Sequence, residues 1–178
     1  MQGDGAAAYA GAPYNYMGQE IERKWLLAEM PAPSVMNKAV CRPIVQGYLC
    51  TSPVVRIRRD GDRYYLTYKG KGTLEREEYN LPLTEEAFSH LCSKCDGIIL
   101  RKDRYEIPLQ DSEGLVAELD VFHGNYEGLC YVEVEFQSRE QAEGFRAPGW
   151  FGREVTEEPG YSNAALSRGI PARKMAGK

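Results

Sequence analysis

Charge recurs at every second residue in one segment of this chain after another, and that pattern constrains the fold more than any other feature. In Glu20-Ile21-Glu22-Arg23-Lys24 an extended backbone sets Glu20, Glu22 and Lys24 on one side, because alternate side chains of a strand share a face. Arg56 and Arg58 share a face, with Val55 and Ile57 on the other. Lys102 and Arg104, Glu118 and Asp120, and Glu133 and Glu135 repeat the arrangement, with Leu119, Val121, Val132, Val134 and Phe136 opposite them. Arg76 pairs with Glu78, and Lys69 falls out of phase with Leu66 and Tyr68. A sheet with one face in water also alternates. Its wet face, however, usually mixes Thr, Ser, Gln and single charges. Like charges side by side repel unless an opposite charge lies between them. Here the paired acids invite a divalent cation and the paired bases an oxyanion.

Turn chemistry separates eight expected strands: Gln19–Leu27, Cys41–Thr51, Val54–Asp60, Arg63–Gly70, Thr73–Leu81, Ile98–Ile107, Leu115–Phe122 and Leu129–Phe136. Thr51-Ser52-Pro53, Asp60-Gly61-Asp62 and Gly70-Lys71-Gly72 read as tight turns, with Asp60 and Asp62 as turn residues. Helices are expected at Thr84–Cys95 and Ser138–Phe145, which open on a Thr and a Ser cap, and at Ser162–Arg168, which ends at Gly169 with Pro171 beyond, with a shorter one within Pro33–Ala39. The short connections predict a mainly β, α+β fold: an eight-stranded antiparallel sheet closed into a barrel, with helices packed outside. The expected organisation is an extension over residues 1–17, one domain over 18–170 and a tail over 171–178.

The 178 residues suffice for one domain with a real interior. The net charge of −4 argues against a nucleic-acid partner. No apolar run approaches a membrane span, and Met1–Gly18 lacks the basic start of a secretory signal. Cys41, Cys50, Cys92, Cys95 and Cys130 are odd in number and irregularly spaced, which predicts free thiols and a cytoplasmic location. Cys92 and Cys95 form a CxxC without a second pair to complete a zinc site. His90 and His123 have no partner spacing and read as structural, and Trp25 and Trp150 as packing residues. Tyr48 reads equally as core or as a substrate contact.

With the charged faces turned inward, one lumen collects Lys24, Arg56, Arg58, Lys69, Arg76, Lys102 and Arg104 together with Glu20, Glu22, Glu78, Glu118, Asp120, Glu133 and Glu135. Guanidinium forks match phosphate oxygens, and carboxylates suit Mg²⁺ or Mn²⁺. A chain of phosphates carrying metal satisfies both halves of such a lumen. A lone phosphate leaves most of the bases unpaired.

The same residues resemble the CYTH superfamily, the triphosphate tunnel metalloenzymes. Glu20-Ile21-Glu22-Arg23-Lys24 is similar to its ExExK signature. The resemblance continues through Gln46-Gly47-Tyr48-Leu49, Arg56-Ile57-Arg58, Leu66-Thr67-Tyr68-Lys69-Gly70, Lys102-Asp103-Arg104, Glu118-Leu119-Asp120, Glu133-Val134-Glu135, the Trp150–Thr156 stretch and Tyr161-Ser162-Asn163. It covers Gly18 to about Gly169. It implies an eight-stranded tunnel that hydrolyses or cyclises triphosphates with Mg²⁺ or Mn²⁺, two ions being expected. By that resemblance Glu20 and Glu22, with Glu133 or Glu135, hold one metal. Glu78, Glu118 or Asp120 place a second metal or its water. Lys24, Arg56, Arg58, Lys69, Lys102 and Arg104 clamp phosphates, joined by Arg76 from the charge pattern. Lys24, Glu118 and Asp120 are the candidate catalytic residues, with Lys24 a proton acceptor if neighbouring cations depress its pKa. The expected substrate is inorganic tripolyphosphate. A class IV-like adenylate cyclase acting on ATP, a thiamine triphosphatase and a non-catalytic polyphosphate-binding module are the alternatives. One position departs from the family pattern: Asn80 stands where a second acid is common, two residues after Glu78.

Overall fold

The structure, a computed structural model, describes residues 21–70, 78–110, 112 and 114–169. Its strands are β1 (Ile21–Leu27), β2 (Val40–Thr51), β3 (Val54–Asp60), β4 (Arg63–Lys69), β5 (Glu78–Pro82), β6 (Asp96–Pro108), β7 (Val116–His123), β8 (Cys130–Phe136) and β9 (Phe151–Glu154). They form one antiparallel sheet in the order β5-β4-β3-β2-β6-β7-β8-β1-β9. The expected eight strands closed into a barrel are therefore corrected in two respects. There are nine strands among the described residues, and no ladder joins the edges β5 and β9. The added strand, β9, is four residues long and too short to show alternation. Gly152 allows it to lie against β1: a Cβ there would stand 2.8 Å from Leu26 O.

Four short helices complete the chain: α1 (Pro33–Met36), α2 (Glu85–Cys92), α3 (Arg139–Gly144) and α4 (Asn163–Ser167). Thr84, Ser138 and Ser162 cap the last three by accepting from Ala87 N, Gln141 N and Ala165 N, satisfying donors that would otherwise be orphaned. Phe88 of α2 packs on Tyr64, ring centroids 5.3 Å apart. Among the described residues no helix is long and apolar enough to cross a membrane.

The alternating pattern builds two separate cores. On the outer face, Trp25, Leu119, Val132, Val134 and Phe136 pack with Ala142, Phe145 and Phe151. On the inner face the same strands change character along their length. Lys24, Lys102, Asp120 and Glu133 are followed two residues on, or preceded two residues before, by Leu26, Leu100, Phe122 and Tyr131. These apolar side chains join Tyr48, Leu129, Val155, Tyr161 and Leu166 of α4 in a second buried cluster. Gly97 brings α4 onto β6: its φ is +73°, and a Cβ would lie 2.1 Å from Ser167 O. Each fully buried Leu or Phe of this cluster contributes about 1.5–3 kcal/mol, so the sheet curls around an apolar base with a charged cavity beside it.

Candidate functional site

A cavity of about 430 Å³ is lined by residues from each of β1 through β8 and by the start of α4. That volume lies within the range of small-molecule sites. Of the residues expected to converge, Glu22, Lys24, Arg56, Arg58, Lys69, Arg104, Glu118, Glu133 and Glu135 all line it. Glu20, Arg76 and the side chain of Glu78 lie outside the described residues. Lys102 and Asp120 are not on the wall. Their side chains are 0% exposed, sealed beneath it and paired to each other. Lys102 Nζ lies 5.3 Å from the Phe122 ring centroid.

Lys102 and Asp120 belong to a buried ionic network. Asp120 accepts from Arg104 Nε and Nη2, each at 2.7 Å, and from Lys102 Nζ. Arg104 Nη2 also reaches Glu133 Oε2 at 2.9 Å, and Nη1 pairs with Glu118. Lys24 Nζ lies 2.7 Å from Glu133 Oε1, donates to Tyr161 O at 3.2 Å and stands 5.4 Å from the Tyr131 ring. Buried charges persist only when paired this thoroughly.

The network sets protonation. Burial alone would lower the Lys24 ammonium, but Glu133, with help from Glu22 and Asp120, more than offsets it, and its pKa sits above the ordinary value. Depression of the Lys24 pKa would need cationic neighbours, and in this network its partners are carboxylates. Burial and Arg104 push Lys102 down to about 8 despite Asp120. Asp120 is held below its usual range: burial opposes this, and Arg104 and Lys102 overcome it. Glu118 moves the other way, raised by burial with contributions from Glu133 and Asp120, against the pull of Arg104.

Arg58 and Arg56 donate hydrogen bonds to neutral groups. Arg58 Nε donates to Gln46 Oε1 at 3.1 Å and Nη1 to Tyr65 Oη at 3.3 Å. Gln46 Nε2 donates to Tyr48 Oη at 3.3 Å. Arg56 Nη2 donates to Thr67 Oγ1 at 3.1 Å, which donates to Asn80 Oδ1 at 2.7 Å. Asn80, the departure from the family pattern, thus receives a relay that starts at a cavity arginine. Tyr65, Gln46, Thr67 and Asn163 received no role from sequence. Parity with Lys69 placed Tyr65 and Thr67 on the inner face, but neither carries a charge to mark it. Asp60, expected as a turn residue, is instead buried at the end of β3, with Oδ1 3.0 Å from Arg42 Nε.

Glu22 and Glu135 face each other in register across β1 and β8, and both are exposed at the cavity. Directly opposed carboxylates destabilise a sheet unless a cation lies between them. Among the described residues no three acids, histidines or cysteines are arranged so as to hold a metal ion. Two carboxylates nevertheless fit Mg²⁺ or Mn²⁺, which commonly take one or two protein carboxylates and complete their shell with water and substrate phosphate.

Comparison with known proteins places this geometry in context. The profile of the CYTH domain family matches residues 18–164. An inorganic triphosphatase of Nitrosomonas europaea is 43% identical over 155 residues, spanning 85% of this chain and 99% of the relative. An inorganic triphosphatase of Acetivibrio thermocellus is 36% identical over 158 residues, spanning 84% of this chain and 94% of the relative. The crystal structure of an inorganic triphosphatase superposes with a TM-score of 0.68 at 38% identity, covering 88% of this chain and 99% of that one.

Proposed function

Since the chain belongs to the CYTH domain family, we propose that it hydrolyses a linear triphosphate, inorganic tripolyphosphate above all, in the cavity that its curled sheet surrounds. The observation that carries this reading is the convergence of Lys24, Arg56, Arg58, Lys69 and Arg104 from four strands on one cavity of about 430 Å³. The two triphosphatase relatives, matched over nearly their whole length, support it. The wall of the cavity is polar, which suits a bare phosphate chain.

Phosphoryl transfer asks mainly for positioning and charge neutralisation. Arg58 and Arg56 bind non-bridging phosphate oxygens through their outward N–H groups. Lys24 stays protonated, held by Glu133 and Tyr161 O, and presents fixed positive charge without reorganisation. Glu118 lines the cavity with a raised pKa, and it takes the proton of the attacking water. Glu22 and Glu135 would hold Mg²⁺ or Mn²⁺. When bound there, the cation supplies charge neutralisation to phosphate oxygens. Asp120 and Lys102 act beneath the wall and not on the substrate. Closure into a tunnel is proposed to come from side chains and loops across the gap between β5 and β9.

Purified protein incubated with tripolyphosphate and Mg²⁺ or Mn²⁺ releases orthophosphate on this reading, and chelation stops the release. Absence of release with either metal, while ATP yields cyclic AMP or thiamine triphosphate is cleaved, overturns it.

A further inference from the structure

Gln46 is buried to 0% exposure on the inner face of β2, yet it is polar and touches two residues of the cavity wall. A buried amide is costly unless its groups are bonded, and here the bonding decides direction. Arg58 carries only donors. The Gln46 atom 3.1 Å from Arg58 Nε is therefore the carbonyl oxygen, and the amide nitrogen faces Tyr48 Oη at 3.3 Å. An amide nitrogen only donates, so Tyr48 Oη accepts. A hydroxyl has one proton. With the Gln46 amide donating to its oxygen, Tyr48 keeps that proton for an acceptor elsewhere. Burial raises its pKa, which keeps that proton in place.

We propose that Gln46 is a positioning residue of the reaction: its amide orients the Arg58 guanidinium and turns the Tyr48 hydroxyl into a donor aimed at a phosphate oxygen. The inference rests on the triphosphate reading of the cavity. Gln46 never meets the substrate. It acts through Tyr48 and Arg58, both of which line the cavity. A carboxylate at the same position would accept the Tyr48 proton instead, reversing that bond, and would neutralise Arg58.

The test combines Gln46→Glu, Gln46→Met, Tyr48→Phe and the double variant Gln46→Glu/Tyr48→Phe, assayed with tripolyphosphate. Thermal melting reports whether each is folded. Gln46→Glu lowers kcat about 10- to 100-fold and raises KM. Gln46→Met, which breaks both bonds without adding charge, shifts both in the same direction. In the Tyr48→Phe background the kcat effect of Gln46→Glu disappears while the KM effect, carried by Arg58, persists. Folded Gln46 variants with unchanged kcat and KM overturn the proposal, as do kcat losses that multiply in the double variant. Calorimetric binding of tripolyphosphate without metal separates this from the hydrolase reading. If the unmutated protein binds but releases no phosphate, the hydrolase reading falls. A roughly tenfold weaker binding by Gln46→Met then still supports the role of Gln46, and equal affinity overturns it. A protein that neither binds nor cleaves tripolyphosphate overturns both.

Discussion

Arg104 and Arg58 reach the same cavity from walls two strands apart in the sheet, β6 and β3, and they are held in opposite ways. Three carboxylates, Glu118, Asp120 and Glu133, surround the Arg104 guanidinium. The Arg58 hydrogen bonds go to Gln46 and Tyr65, an amide and a phenol. An arginine among carboxylates has little field left for a ligand, whereas one fixed by neutral dipoles keeps its full charge for an incoming phosphate. The two arginines thus divide the labour: Arg104 stabilises a buried ionic network, and Arg58 presents charge.

The sharpest way to break this comparison is Arg58→Ala. It lowers kcat/KM for tripolyphosphate by about 10²- to 10³-fold, measured as phosphate release, with little change in thermal melting. An equal catalytic loss from Arg104→Ala at unchanged stability would erase the distinction. Asp120→Asn works on the other wall. It leaves Arg104 and Lys102 without a buried counter-charge and costs about 3–5 kcal/mol of stability, read from the urea denaturation midpoint. An unchanged midpoint would show that the network is dispensable.

Acid sharpens the same contrast. Asp120 has a folded pKa below its unfolded value. Its contribution is complete above the unfolded pKa of about 3.9 and is lost as pH falls through the folded value. Glu118, raised instead, contributes in the opposite sense: its stabilisation is present below the unfolded pKa and lost as pH rises through the folded one. Denaturation curves taken downward from pH 7 therefore fall most steeply below about pH 4, and Asp120→Asn flattens that limb. A variant with the parent's acid slope would assign the loss to other carboxylates. The smallest effect is expected of Tyr65→Phe. Removing one neutral hydrogen bond to Arg58 is worth about 0.5–1.5 kcal/mol, seen as a two- to tenfold rise in KM.

Legibility from sequence followed charge. Paired charges at i and i+2 placed Lys24, Arg56, Arg58, Arg104, Glu118 and Glu133 on a common inner face, and the cavity collects them. The same logic over-reached at Lys102 and Asp120, because parity tells which face a side chain takes and not its depth along the strand. It passed over Gln46 and Tyr65, whose neutrality gave no signal. It also read Asp60 as a turn residue from its place beside Gly61, although its side chain turns inward to Arg42. β9 escaped because four residues held by a glycine contact carry no period.

By itself the sequence determined that strands would dominate and which side of each would be charged, since a period of two is written in neighbouring residues. Tertiary structure alone decided which charges face a ligand and which neutralise one another. That choice depends on partners brought together across distant strands, such as Arg104 with Asp120 and Arg58 with Gln46, and on burial, which makes every unpaired charge too costly to keep.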